Sequence, residues 1–193
     1  MNVGRPQQLS VRRGRPLMSA IGKASISPPA RVRVAGVNLE GDDQADRRVH
    51  GGPDKAVYAY APELGPGAFG ENLTTEGIDV SGAVIGERWR IGDVELEVCQ
   101  PRLPCSKLAL RMGEPTMVKR FAKASRPGAY LRIVSEGSLG AGDPIEVVSR
   151  PEHGVTVRDV SDAILLDDAL LERAASAPEL PADLADWMRE RAA

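Results

Sequence analysis

The chain has 193 residues, with 25 basic and 27 acidic side chains and a formal net charge of −2. That balance excludes a nucleic-acid binder working through bulk charge. An aromatic content of 4% leaves little for a platform that stacks single strands. No apolar run is long enough to span a membrane, and the N-terminus lacks the apolar core of a signal peptide. Cys99 and Cys105 fit neither a zinc knuckle nor a disulfide framework. A cytoplasmic protein in a reducing compartment is expected, with no membrane and no nucleic acid polymer as partner.

Residues 1–14 are polar, carry Arg5, Arg12 and Arg13, and read as an edge strand or a loose arm. Residues 16–26 read as extended. Lys23 lies among them, and on sequence alone it is more simply a solvated lysine than a ligand group. Residues 31–34 alternate as a half-buried strand should. Residues 38–55 have no usable periodicity and form a loop of unusual length, which in a compact domain is functional or disordered. This loop ends in His50-Gly51-Gly52-Pro53. The glycine pair permits close backbone approach to a ligand. His50 is a candidate for hydrogen bonding or proton handling, or simply for holding the turn.

Residues 56–60 read as a strand or short helix. Glu71 and Asn72 follow Phe69, placed either to fix a ligand or to cap a neighbouring loop. Residues 87–98 read as a hairpin turning at Gly92-Asp93. Residues 108–124 look helical, with Leu108, Met112, Met117, Val118, Phe121 and Ala122 facing inward and Pro115 opening a second piece. Strands follow at 129–134 and 145–148, joined by a glycine-rich connection over 137–144. Seven or so short strands without a βαβ rhythm predict a mainly β fold, an antiparallel barrel or sandwich. Composition shifts near Val155 toward Ala, Leu and Asp. The expected organisation is a β-domain over 1–152 and a small helical appendage over 153–193, the latter serving packing or a possible homodimer contact.

The segment 98–108 holds both cysteines, and the prolines between them, Pro101 and Pro104, forbid regular pairing. It presents Cys105 between Arg102 and Lys107, cations that bias a thiol toward the thiolate which attacks electrophiles or binds soft metals. The plainer alternative is a small buried hydrophobe.

Five motifs then occur in order: Gly41-Asp42-Asp43-Gln44-Ala45-Asp46, His50-Gly51-Gly52, Gly70-Glu71-Asn72-Leu73, Gln100-Pro101-Arg102-x-Pro104-Cys105-x-Lys107-Leu108, and Gly128-x-Tyr130-Leu131-Arg132. Together they resemble the MOSC domain, named for the C-terminal domain of molybdenum-cofactor sulfurase, and most closely its stand-alone YiiM-like branch. The resemblance implies a barrel-like fold similar to the small β-barrel of pyruvate kinase, with a C-terminal three-helix tail. It implies that Cys105 ligates molybdenum of a pterin cofactor or carries sulfur for it, and that Cys99 is structural. It also implies reduction of N-hydroxylated bases and related N–O compounds with electrons from a separate redox partner. No pyridoxal-phosphate domain is present, so no pyridoxal phosphate is expected. Cations for the cofactor phosphate would come from Lys23, Arg47, Lys55, Arg102, Lys107 and Arg132. Gly51, Gly52 and Ser106 would offer backbone, and Glu71 and Asn72 would complete the walls of one pocket.

The chain is shorter between Gly52 and Gly70 than the resemblance leads one to expect, which bears on the substrate entrance. Two other readings stay open: a non-catalytic cofactor or sulfur carrier using Cys105, and a metal-free enzyme with Cys105 as nucleophile, His50 as base and Arg102 as oxyanion partner.

Overall fold

The computed structural model describes residues 1–12, 15–26, 30–45, 51–60 and 65–193. His50, Arg47 and the shortened stretch at 61–64 lie outside the described residues. In chain order the strands are β1 (Asn2–Val3), β2 (Gln7–Arg12), β3 (Arg15–Ser19), β4 (Ala24–Ser25), β5 (Arg31–Ala35), β6 (Asn38–Leu39), β7 (Val57–Tyr60), β8 (Leu73–Thr74), β9 (Arg88–Ile91) and β10 (Val94–Pro101). Helices α1 (Ser106–Met112) and α2 (Met117–Ala124) follow. Then come β11 (Ala129–Ser135), β12 (Gly137–Gly140), β13 (Ile145–Ser149), α3 (Val157–Leu165), α4 (Leu171–Ala174) and α5 (Ala182–Ala192). Among the described residues, no helix is long and apolar enough to cross a membrane.

The main sheet has six strands in the order β13-β9-β10-β11-β7-β8, antiparallel except for the parallel pair β7–β8. A three-stranded sheet, β12-β5-β6, and two antiparallel pairs, β1–β4 and β2–β3, complete a curled, barrel-like wall. The alternation read in residues 31–34 is real: Val32 and Val34 are buried while Arg31 and Arg33 face water. The hairpin β9–β10 turns at Gly92, whose φ of 58° is a conformation glycine reaches without a Cβ penalty. Within residues 56–60, Val57–Tyr60 form strand β7, which pairs with both β8 and β11. Strand β12 lies inside the glycine-rich connection. Its sequence, Gly-Ser-Leu-Gly, has no strand signature, and only pairing with Arg31–Val34 makes it one.

One apolar core runs from Val34, Trp89, Leu96 and Leu131 in the sheets to Val160, Leu171 and Met188 in the C-terminal helices. The helices therefore share the core of the β-domain. Thr156 caps α3 and forms a capping box with Asp159, and it bridges to Val84 of the β-domain. In α5 the buried residues are Ala185 and Met188, while Trp187 is exposed with the Arg191 guanidinium 5.3 Å from its ring centre. Position 188 and position 185, three residues earlier, define the inner stripe, and 187 lies on its flank.

A second, smaller cluster joins Tyr58 and Tyr60 of β7 to Leu108 of α1 and Phe121 of α2, with Phe69, Met112 and Met117 around them. The inner faces expected for the two helices are thus largely those observed. Pro115 lies before α2, which is preceded by Thr116 at its N-cap.

Candidate functional site

β10 ends at Pro101, and the chain then runs through Arg102-Leu103-Pro104 to Cys105, which precedes α1 in an extended conformation (φ −137°, ψ 174°). Its side chain makes no capping bond, so the sulfur is not committed to the helix, and it is half-buried on the wall of a cleft. That cleft opens to solvent, and about 110 Å³ of it can be reached by the centre of a water-sized sphere. Lys23, Lys55, Arg102 and Lys107 line it, together with Cys105, and Tyr58, Phe69 and Tyr130 supply its apolar side.

Arg102 is buried at the base. Its guanidinium lies 5.2 Å from the Tyr58 ring centre and 5.8 Å from that of Phe121, and donates to the Phe69 carbonyl. Cation–π contacts of this kind strengthen as water is excluded. The arginine thus holds a fixed positive charge under the cleft and ties the aromatic cluster to the end of β10.

Asp42 organises another part of the wall. One carboxylate oxygen accepts from the Gly4 N–H at 2.7 Å and from Lys23 Nζ at 2.5 Å; the other accepts from Asn72 Nδ2 at 2.9 Å. Both members of the Lys23–Asp42 pair are buried. Burial holds the Lys23 ammonium below the usual lysine range, with the Asp42 carboxylate pulling the other way. Lys23 is therefore a cleft residue and not the solvated lysine that the plainer reading made it. Gly70 also lines this wall. Its φ is 79°, and a Cβ there would come within 2.7 Å of the Ile21 side chain.

Several residues expected in the same pocket are engaged elsewhere. The buried Glu71 accepts from the Gly67 and Phe69 N–H groups at 2.6 and 3.0 Å and from the Thr74 hydroxyl at 3.1 Å. It is the loop cap of the two roles the sequence allowed. Asn72 does line the cleft, but its amide is spent on the Tyr58 N–H, the Asn2 carbonyl and Asp42. Gly51, Gly52 and Ser106 are absent from the lining. The Gly52 N–H donates to the Gln44 side chain, which also donates to the Val37 and Lys55 carbonyls, so Gln44 clips the two ends of the long loop together.

Arg132, also expected in the pocket, has its partners elsewhere. It lies outside the cleft lining, with Nε donating to Cys99 Sγ at 2.8 Å and ion pairs to Asp54 at 3.1 Å and Glu97 at 3.3 Å. A further N–H donates to the Glu179 carbonyl. Its fork is filled by protein groups rather than offered to a phosphate. Cys99 is fully buried, and burial pushes its thiol up to about 12, the neighbouring guanidinium pulling the other way.

Sequence reading passed over Asp42, Tyr58, Tyr130 and Phe69 as site residues. Asp42 stood inside a quoted motif, which was a usable signal. Tyr58 and Tyr130 face each other only through the β7–β11 register, with ring centres 5.1 Å apart, and nothing local announces that pairing.

The donor set suits an anionic ligand carrying a soft metal: one accessible thiol, with amino and guanidinium groups around the same space. Among the described residues, no group of three or more His, Cys, Asp or Glu side chains is placed to hold a metal ion. A metal held through Cys105 would therefore bring other ligands with it.

Residues 46–146 match the family profile of the MOSC domain. The uncharacterized protein YflK of Bacillus subtilis (strain 168) is 37% identical over 172 residues, covering 82% of this chain and 76% of that protein. A Gibberella moniliformis protein named "Reductase" is 33% identical over 184 residues, covering 87% of this chain but only 32% of that longer protein. The crystal structure of YiiM from Geobacillus stearothermophilus superposes with a TM-score of 0.78 at 26% identity, over 100% of this chain and 96% of that one. With its profile match and its identity to these relatives, this chain belongs to the MOSC domain family, in the YiiM-like branch.

Proposed function

We propose that the protein binds a molybdenum-pterin cofactor in the cleft and reduces N-hydroxylated bases or related N–O compounds with electrons from a separate redox protein. The observation that carries this reading is the placement of Cys105. Of the two thiols, it alone reaches the cleft, and it does so beside Lys55, Arg102 and Lys107. The family match adds the association with this cofactor.

In this reading Cys105, as thiolate, is the protein's ligand to the metal. Lys55 and Lys107 neutralise the cofactor phosphate, and Lys23 is held ready on the wall by Asp42. Arg102 offsets the negative charge gathered at the thiolate. Phe69, Tyr58 and Tyr130 shield the base of the cleft from water, which strengthens each of these interactions. When bound, the cofactor supplies two-electron chemistry at an oxygen atom, with the protein providing orientation and electrostatics. The net conversion is R–NHOH plus two electrons and two protons to R–NH₂ plus water.

The test is elemental analysis of protein purified from a host that makes the cofactor, with Cys105→Ser alongside. Stoichiometric molybdenum that disappears in the variant is expected, followed by turnover of a hydroxylaminopurine with reduced methyl viologen. Metal without turnover would leave a carrier rather than a reductase. Absence of metal in the wild-type protein would overturn the reading.

A further inference from the structure

Charge is divided unevenly along this chain. Residues 1–23 carry five basic and no acidic side chains, and residues 102–126 carry seven basic against one acidic. Residues 136–193 carry five basic against 13 acidic. A net charge of −2 therefore hides a strongly polarised molecule.

The fold brings the two basic segments to one place. Both line the cleft, through Lys23 from the first and Arg102, Cys105 and Lys107 from the second. Arg111 of α1 reaches back to the first segment, its Nη1 lying 3.5 Å from where a Cβ on Gly22 would stand. On α1, positions 107, 110 and 111 share a face, as do 119, 120 and 123 on α2, opposite the buried Phe121. Arg111, Lys119, Arg120 and Lys123 are exposed. The one acidic residue of the segment, Glu114, is neutralised by Arg120 at 2.5 Å. Apolar side chains stand among these cations: Leu103 is 38% exposed, Leu110 47% and Met18 40%. A predominantly basic rim beside exposed apolar residues is the anatomy of a transient protein interface.

We infer that this rim is the docking face for an acidic electron-carrier protein that delivers electrons to the cleft. This inference rests on the proposed reduction. Charge complementarity selects the occupant. The negative remainder of the molecule repels an acidic carrier, so the carrier approaches by the rim, beside Cys105. Exposed leucines and a methionine on the two basic segments suit a protein surface better than a phosphodiester backbone.

The experiment uses cofactor-loaded protein and the variant Arg111→Glu/Lys119→Glu/Lys123→Glu, none of whose residues lines the cleft. Reduced methyl viologen and a reduced acidic [2Fe–2S] ferredoxin serve as alternative donors for hydroxylaminopurine reduction. Thermal unfolding of the variant checks its fold. Viologen-driven turnover is expected to be equal in the two proteins. Ferredoxin-driven kcat/KM is expected to fall at least about tenfold in the variant at low salt, and about as far in the wild type when salt is raised. Equal, salt-insensitive ferredoxin kinetics, or no transfer from ferredoxin when viologen works, would overturn the docking face while leaving the reduction standing. Loss of viologen turnover in the wild type would instead defeat the reduction. Ferredoxin binding, followed separately by calorimetry, is expected to weaken in the variant whatever the turnover. Binding a DNA duplex more tightly than ferredoxin would also overturn the inference.

Discussion

The two cysteines stand six positions apart at one end of β10, and the molecule treats them in opposite ways. Cys99 has a cation in direct contact, with Arg132 Nε 2.8 Å from its sulfur, yet it is wholly buried and its thiol is pushed up to about 12. Cys105 is half-buried on the cleft wall, beyond the end of the strand, with no capping bond on its side chain. A neighbouring positive charge is therefore not enough to make a thiol reactive. Desolvation outweighs the guanidinium at Cys99, whereas the prolines carry Cys105 out of the sheet to where a ligand can reach it.

The sharpest way to break this contrast is to exchange the thiols for hydroxyls. Cys105→Ser is expected to lower molybdenum affinity by more than the roughly 10- to 100-fold typical of losing an outer-shell partner. Cys99→Ser is expected to leave the metal content of purified protein unchanged. Equal losses in both would erase the distinction.

Asp42→Ala tests another part of the cleft wall. It leaves the buried Lys23 ammonium and the Asn72 amide without their carboxylate. The expected cost is about 3–5 kcal/mol, read from denaturant unfolding, because breaking a buried pair strands a desolvated charge. A cost under about 1 kcal/mol would mean that the pair is solvated.

Arg132→Met sharpens the other side. It removes the donor to Cys99 and the pairs to Asp54 and Glu97. A loss of about 1–3 kcal/mol is expected, with molybdenum content unchanged. Metal loss in a stably folded variant would return Arg132 to the cofactor.

The pH response of Cys99 gives a smaller, directional check. Its thiol stays protonated in the fold up to about 12, against an ordinary value of 9.0 in the unfolded chain. Between these values the folded protein binds more protons than the unfolded one. The contribution is therefore complete below about pH 9 and lost as the pH climbs toward 12. Guanidinium unfolding should show a steeper alkaline loss for the wild type than for Cys99→Ala. The smallest effect is reserved for an exposed pair remote from both thiols: Arg90→Ala, which breaks the contact with Glu146, is expected to change stability by less than about 0.5 kcal/mol.

Local signals made much of this protein readable. Alternation over 31–34, the Gly92-Asp93 turn and the helical spacing around Leu108 and Phe121 each reflect a constraint that acts within a few residues. The prolines around Cys105 and the ordered motifs likewise pointed to that thiol from sequence alone. Strand β12 was not readable, because Gly-Ser-Leu-Gly becomes a strand only when β5 lies beside it. Glu71 was readable only as a choice between ligand and cap, since its partners are backbone N–H groups whose positions the fold sets.

The amino-acid sequence by itself determined the β-rich class, the family and the thiol at issue. Those depend on periodicity, on turn chemistry and on residue types in a given order. Only the tertiary structure decided which charges surround which thiol. It sent Arg132 to Cys99, locked Lys23 to Asp42, and put Arg102 beneath the Tyr58 and Phe121 rings. Such long-range pairings follow from sheet register and burial, which no local stretch encodes. For Cys105 and Cys99, the deciding quantity was access to solvent and ligand, and that became visible only once β10 had its neighbours.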